Sequence, residues 1–369
     1  MKGIPRKYTE GFNWPLATVV FLLLGIGLVN LYSAVYFWGE GGSTSLFWSQ
    51  LVWSIIGVVL MFFVIISDYR VFQRMAVPFY AVVCVLLVLS IIMGSAIRGT
   101  HGWLKIGPFT LQPAEFAKIA YILIAAKFFS DHPSPDGYSL TDLWRPGLAM
   151  LVPFALIIMQ GDLGTSLFLI LIFISLAMFA KVRRRTLIAC AIVAIIAAGG
   201  FYTFGLKEYQ RNRIFSFFNP EADVRGSGYH LVQSKIAVGS GKLFGKGYLK
   251  GNINKLRYLP ERHTDFIFPV FAEEWGFVGS IIVLSLYTAL LMMGIEIASK
   301  ARDRFGAFVA MGVVALLFWQ ITINLGGVLG LMPLTGVTLP LMSYGGSSMV
   351  AILVSLGMLF SIHMKRFMF

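Results

Sequence analysis

The densest group of chemistry-bearing side chains is Leu259-Pro260-Glu261-Arg262-His263-Thr264-Asp265-Phe266-Ile267-Phe268, where a polar stretch runs into an apolar one. Asp265 stands at the junction, and its type fits two roles. A carboxylate there can accept the orphan N–H groups of a starting helix as an N-cap. With Arg262 and His263 beside it, it can equally act as a general base toward a hydroxyl while cations hold an anion. A second group is Leu111-Gln112-Pro113-Ala114-Glu115-Phe116-Ala117-Lys118, with Pro at the first helical position and an acid in the first turn. Glu115 and Lys118 fall on one helical face, inside an otherwise apolar run, as a structural ion pair or as site-lining charges. A third, Gln160-Gly161-Asp162-Leu163-Gly164-Thr165-Ser166, makes a short turn in which Asp162 caps the next helix, with a site role as the alternative. The fourth, Leu339-Pro340-Leu341-Met342-Ser343-Tyr344-Gly345-Gly346-Ser347-Ser348, suits a tight loop beside a polar ligand, with Ser343 as its candidate contact. Close helix packing through small residues explains it as well.

The elements that must position these groups are membrane spans. The chain has 369 residues, 57% hydrophobic and 13% charged, and a mean hydropathy of +0.79. A soluble domain carries about a quarter charged residues. Ten apolar stretches reach the roughly 17 to 25 residues that cross a bilayer: 14–34, 46–67, 76–95, 113–130, 145–160, 164–180, 186–206, 275–296, 306–330 and 346–364. The expected fold is therefore an all-α integral membrane protein, one polytopic domain over 1–369, with a retained first span and no signal peptide.

Basic residues in the short loops orient it. Sixteen of them, from Lys2 to Arg366, share the side of both termini, against seven acids; the opposite short loops hold only Arg98 and Lys105. Both termini are expected in the cytoplasm, and all four groups at or near the outer face. The loop 207–265, between spans seven and eight, lies outside yet carries eleven basic residues, among them Arg211, Arg213, Lys235, Lys242 and Arg262. Long loops translocate whatever their charge, so either the lysines are merely tolerated or a cationic surface meets an anion there. Phe215 to Phe218 and Tyr229 to Val238 mix apolar and polar faces as interfacial helices do. Cys84 and Cys190 sit in apolar runs, and five histidines show no ligand spacing, which argues against a disulfide scaffold, a zinc site or a cysteine nucleophile. A nucleic-acid partner fits poorly with a basic loop that faces outward among apolar runs.

In this order on a ten-span chain, Q-P-A-E-F-A-K, Q-G-D-L-G-T-S, Y-Q-R-N-R, G-Y-H-L-V-Q-S-K-I-A-V-G-S-G, P-E-R-H-T-D-F-I-F and L-M-S-Y-G-G-S-S resemble the SEDS family (shape, elongation, division, sporulation) of bacterial wall polymerases. Arg262 within P-E-R-H-T-D is similar to the cell-elongation, or RodA, branch. The resemblance implies a multi-pass protein of the bacterial cytoplasmic membrane: a peptidoglycan glycosyltransferase that polymerises lipid II into β-1,4 glycan strands with inversion, on the outer face. It implies Asp265 as essential aspartate and general base, Glu115 and Lys118 as an intramembrane charged pair, and Asp162 as a further functional acid. Arg211, Arg213, Lys235, Lys242 and Arg262 are the candidates for a diphosphate cradle, with or without a divalent cation such as Mg2+, and His263 lies beside them. The implied partners are a class B penicillin-binding protein (a transpeptidase) and other membrane proteins of the elongation complex. At Gly99-Thr100-His101-Gly102-Trp103 the chain departs from related sequences, which often place Arg before Trp; Arg98 or His101 is the candidate replacement. Two rival functions are a lipid II flippase, which would favour midplane charges and broken helices, and a non-catalytic scaffold.

Overall fold

The computed structural model describes residues 11–37, 44–97, 100–107, 109–200, 211, 215–218, 226–252, 259 and 261–366. In chain order the helices are α1 Trp14–Tyr36, α2 Ser45–Ile66, α3 Tyr69–Met93, α4 Pro113–Asp131, α5 Leu140–Met159, α6 Leu163–Phe179 and α7 Arg184–Gly200. They are followed by α8 Ser227–Ser240, α9 Ile267–Ser299, α10 Arg304–Leu329 and α11 Gly346–Lys365. Among the described residues α1, α2, α3, α5, α9, α10 and α11 are long and apolar enough to cross a membrane. The apolar α6 and α7, 17 residues each as described, and the charge-bearing α4, of 19, complete the ten expected spans. α8 covers the amphipathic stretch Tyr229 to Val238 of the long loop, and residues 215–218 are helical.

Long, mostly apolar runs make these helices, because in lipid the backbone groups have to be satisfied within the protein. Their ends follow local chemistry. Asn13 caps α1 by accepting Leu16 N–H at 3.0 Å, and Asp303 caps α10 by accepting Gly306 N–H at 2.8 Å. α10 and α11 are largely buried, while fewer than a third of the residues of the apolar windows of α2, α3, α5 and α9 are. α11 lies against α2, and α10 packs on α4, α6 and α9.

Two features depart from the sequence-based expectation. The stretch between α3 and α4 folds into an antiparallel sheet, β1 Ser95–Ile97, β2 Thr100–Ile106 and β3 Phe109–Leu111, in the order β1-β2-β3. Leu104, Lys105 and Ile106 pair with Leu111, Thr110 and Phe109 around the turn at Gly107. In addition, the eighth span begins at Ile267 rather than 275 and is broken at Gly276, where φ is 69° and ψ −163°. A Cβ at Gly276 would meet Gly245 N at 2.3 Å, so only glycine fits this break.

The break frees backbone groups, and the segment after α8 satisfies them. Phe277 N–H donates to Lys242 C=O at 2.8 Å and Val278 N–H to Leu243 C=O at 3.1 Å. Lys246 and Gly247 N–H donate to Glu273 and Glu274 C=O, both at 3.0 Å. Residues 242–247 therefore pack as part of α9, and Lys242 itself takes a left-handed φ of 51° to do so.

Candidate functional site

The segment between α10 and α11 joins the four sequence groups. Ser343 Oγ donates to Thr264 C=O at 2.6 Å and accepts Leu339 N–H at 2.8 Å. Tyr344 N–H donates to His263 C=O at 2.8 Å. Gln50 of α2 brackets the next residues, its Nε2 donating to Ser343 C=O at 3.2 Å and its Oε1 accepting Gly345 N–H at 3.0 Å. Ser347 Oγ then accepts Gln112 N–H at 3.0 Å and donates to Thr110 C=O at 3.3 Å. Finally, Gln112 Nε2 donates to Asp162 Oδ2 at 3.1 Å. The start of α9, the start of α11, the start of α4 and the α5–α6 turn thus form one continuous network at one end of the bundle. A Cβ at Gly164 would stand 2.6 Å from Thr335 C=O, so α6 also seats its first turn directly on this segment.

Asp265 is partly exposed within this network. Its side chain does not cap α9: the N-cap position is Phe266, which makes no side-chain cap. That removes the simpler of its two sequence-based roles. The turn before it is closed by Thr264 and Phe266 N–H donating to Glu261 C=O at 3.2 and 3.3 Å, and by Thr264 Oγ1 donating to Glu261 Oε2 at 3.1 Å. Arg262 and His263 are 2% and 6% exposed, so they are buried side chains and do not form a surface cradle. Ser343 is buried as well, and its hydroxyl is engaged on both sides by backbone. Its place is that of a latch on the Asp265 turn.

Asp162 does cap its helix, as its position suggested. Oδ1 accepts Thr165 N–H at 2.9 Å and Oδ2 accepts Thr165 Oγ1 at 2.8 Å. Burial pushes this carboxyl above the ordinary aspartate value, the Thr165 donors pull it back, and the negative charge of Glu115 adds to the rise. Glu115 and Lys118 form a buried ion pair at 2.9 Å, with the Lys118 ammonium also 5.2 Å from the centre of the Phe168 ring. Both charges lie close enough to Asp162 to act on its protonation. Gln160 Nε2 crosses to Leu87 C=O at 3.2 Å and Ser90 Oγ at 3.0 Å. A Cβ on Gly102 would come within 2.9 Å of Gln160 Oε1, so a larger residue before Trp103 requires this amide to move. Arg98 and the side chain of His101 lie outside the described residues.

The candidate cations of the long loop separate. Arg211 and Lys242 are exposed. Lys235 is exposed on α8, but the end of its side chain lies over Gly330, the C-cap of α10. Its ammonium there complements the negative end of the α10 dipole. α8 is tied to the same place by Ser234 Oγ donating to Val328 C=O at 2.7 Å. Arg213 lies outside the described residues.

Several polar residues escaped the reading by sequence. Asn324 of α10 donates from Nδ2 to Asp265 C=O at 3.0 Å and to Val337 C=O at 2.6 Å. Asn30 of α1 donates to Ile267 C=O at 3.0 Å. Gln50 of α2, which brackets Ser343 and Gly345, is the third. Each is a polar side chain in or beside an apolar run, and that was the available signal. Beside the break in α9, Glu273 Oε1 accepts Lys246 Nζ at 2.6 Å and Asn252 N–H at 2.9 Å, and Glu274 Oε1 accepts Ser33 Oγ at 2.5 Å. Burial, and then the Glu274 charge, push the nearby Tyr248 phenol up. Among the described residues there is no group of three or more His, Cys, Asp or Glu placed to hold a metal.

The comparisons agree with this architecture. The family model for the FtsW, RodA and SpoVE cell cycle proteins matches residues 14–367. The peptidoglycan glycosyltransferase MrdB of Escherichia coli (strain K12) is 37% identical over 372 residues, covering 99% of this chain and 98% of that protein. A chain from a peptidoglycan synthase complex, solved in work on the structural coordination of polymerisation and crosslinking, superposes with a TM-score of 0.83 at 31% identity, over 96% of this chain and 98% of its own. The crystal structure of the Thermus thermophilus rod shape determining protein RodA gives a TM-score of 0.71 at 29% identity, with 96% and 98% covered.

Proposed function

The chain belongs to the FtsW, RodA and SpoVE family, the SEDS proteins, and from that membership we propose a mechanism in which Asp265 is the base of a peptidoglycan glycosyltransferase. The enzyme class is that of its relatives. The acceptor is a lipid-linked disaccharide with a free 4-hydroxyl; the donor is the growing strand, bonded at its anomeric carbon to undecaprenyl diphosphate. Asp265 takes the hydroxyl proton as the oxygen bonds to the anomeric carbon. The opposite C–O bond breaks, its electron pair leaves on the diphosphate, and the linkage inverts to β-1,4. The departing charge needs cations more than an acid. Arg211 and Lys242 are the surface candidates, Arg213 is a further candidate by sequence, and Arg262 and Lys118 act as buried charges. A divalent cation such as Mg2+ would be held chiefly by the substrate diphosphate, since the described residues bring no group of three or more His, Cys, Asp or Glu together to hold one.

The observation that carries the reading is Asp265 itself. It is a partly exposed carboxylate, not used as a helix cap, whose flanking carbonyls are gripped by three separate elements. The reaction face is the extracytoplasmic one, both termini are cytoplasmic, and the polyprenyl tails lie between spans. The branch is that of cell elongation, and the partner is a class B penicillin-binding protein. The rival reading as a flippase gains the broken α9. At that break, however, backbone groups are met by residues 242–247 and Glu273 by Lys246, which is the pattern of a structural joint. The deciding experiment follows polymer from purified lipid II on gels, with and without partner and chelator, beside a flipping assay in proteoliposomes. Asp265→Asn is expected to fold and to make no polymer; normal polymer from it overturns the assignment.

A further inference from the structure

We propose that Asn324 is a positioning residue for the reaction, setting where the Asp265 carboxylate stands; this rests on the reading of Asp265 as the base. Four carbonyls around Asp265 are held from outside their own turn. His263 C=O is held by Tyr344 N–H, Thr264 C=O by Ser343 Oγ, Asp265 C=O by Asn324 Nδ2 and Ile267 C=O by Asn30 Nδ2. Of these four bonds, the one from Asn324 holds the carbonyl of Asp265 itself.

The chemistry of this amide is one-sided. Both protons of its amino group are committed, one to Asp265 C=O and one to Val337 C=O. Both partners are carbonyls and can only accept, so the nitrogen has to face them and the orientation of the amide is fixed. Its Oδ1 is left buried with no hydrogen-bond partner. A buried amide with an unmatched acceptor costs more than an apolar side chain of the same size unless its donors are needed. Here the donors join the Asp265 turn to the 331–345 segment across the end of a long, buried helix. A rigid element that holds a reacting group through its backbone fixes the side chain's origin without consuming its carboxylate.

Gln320, one turn earlier on α10, supplies the internal control. It too is a buried amide, with Oε1 unpartnered, but it makes no hydrogen bond to the Asp265 turn. The two residues share a helical face and a residue class, and of the two it is Asn324 whose donors reach the Asp265 turn.

The test compares Asn324→Leu, which has no donors, Asn324→Ser, which keeps one, and Gln320→Leu in full-length protein reconstituted with its transpeptidase partner. Rates are measured with purified lipid II and referred to folded protein by thermal melting. Displacement of a reacting group by about 1 Å costs on the order of a hundredfold. Asn324→Leu is therefore expected to lose about a hundredfold in kcat with little change in KM, Asn324→Ser to fall between it and wild type, and Gln320→Leu to match wild type. The acid limb of the pH–rate profile, set by the base, is expected to move in the Asn324 variants. A merely structural role would scale the whole profile down in step with the folded fraction and leave that limb in place. That outcome, or full kcat in Asn324→Ser and Asn324→Leu, overturns the proposal. Should the leucine variant fail to fold, the serine variant decides. Polymer from Asp265→Asn would overturn the reading of the base instead, so the two failures are told apart.

Discussion

Asp265 and Glu273 flank the first turns of α9, and the fold treats the two carboxylates in opposite ways. Asp265 is gripped through its backbone, by Asn324 at its own carbonyl and by Ser343 at the residue before, and its side chain stays partly exposed. Glu273 is gripped through its side chain. It is 2% exposed, and Oε1 is committed to the Lys246 ammonium and the Asn252 N–H. One position sets a partly exposed carboxylate on a backbone held from outside its own turn; the other uses a carboxylate to rivet the loop after α8 to a broken helix. Residue type alone does not separate these roles, whereas the part of the residue that is held does.

The widest separation is expected between Asp265→Asn and Glu273→Leu. General-base catalysis contributes about 10²- to 10⁴-fold, so Asp265→Asn should cost on the order of 10³-fold in polymerisation, equivalent to about 4 kcal/mol, with an unchanged melting temperature. Glu273→Leu should do the reverse. It is expected to cost about 3 kcal/mol of stability, the low end for a broken buried pair, because the Lys246 side chain is 30% exposed and can turn to solvent. Its kcat per folded molecule should survive. Melting curves and lipid II turnover on the same preparations check both, and a stable, inactive Glu273→Leu would erase the distinction. Ser343→Ala tests the boundary between the two classes, since it strands a buried backbone donor and a buried acceptor. A loss of about 2 kcal/mol together with a reduced rate is expected from it, read in the same two assays.

The smallest effect sharpens the comparison with a third carboxylate. Asp162 is held above the ordinary aspartate value chiefly by burial. A raised folded pKa favours the protonated form. Its stabilising contribution is therefore full below the ordinary value of about 3.9 and is lost as pH rises through the folded pKa. Asp162→Asn cannot titrate. Its melting temperature should gain on wild type as the pH is raised from acid to neutral. A gap that stays constant across that range would place the carboxyl in an ordinary aqueous setting.

The spans were legible because bilayer thickness writes itself into run length, and the four polar groups because charges and glycines interrupt those runs. The sheet 95–111 was not legible: its outer strands are three residues long, too short for an alternating pattern to stand out from a loop. The start of α9 was misplaced because Glu273 and Glu274 looked like a polar border, when they are a buried part of the helix paid for by partners far away in sequence. Asn324, Asn30 and Gln50 show a different limit. A lone amide in an apolar run has no periodicity and no spacing partner, so what it holds becomes visible only when the carbonyls of Asp265, Ile267 and Ser343 arrive from elsewhere in the chain.

The break at Gly276 also bears on how the protein opens. Because the Phe277 and Val278 amides are closed by Lys242 and Leu243, and the Lys246 and Gly247 amides by Glu273 and Glu274, these four protons share one cage. They should exchange with solvent together, in a single cooperative event. Amides of a loop beyond the lipid would then be as slow to exchange as those of a buried helix, and the loop's opening would set the lifetime of the upper end of α9.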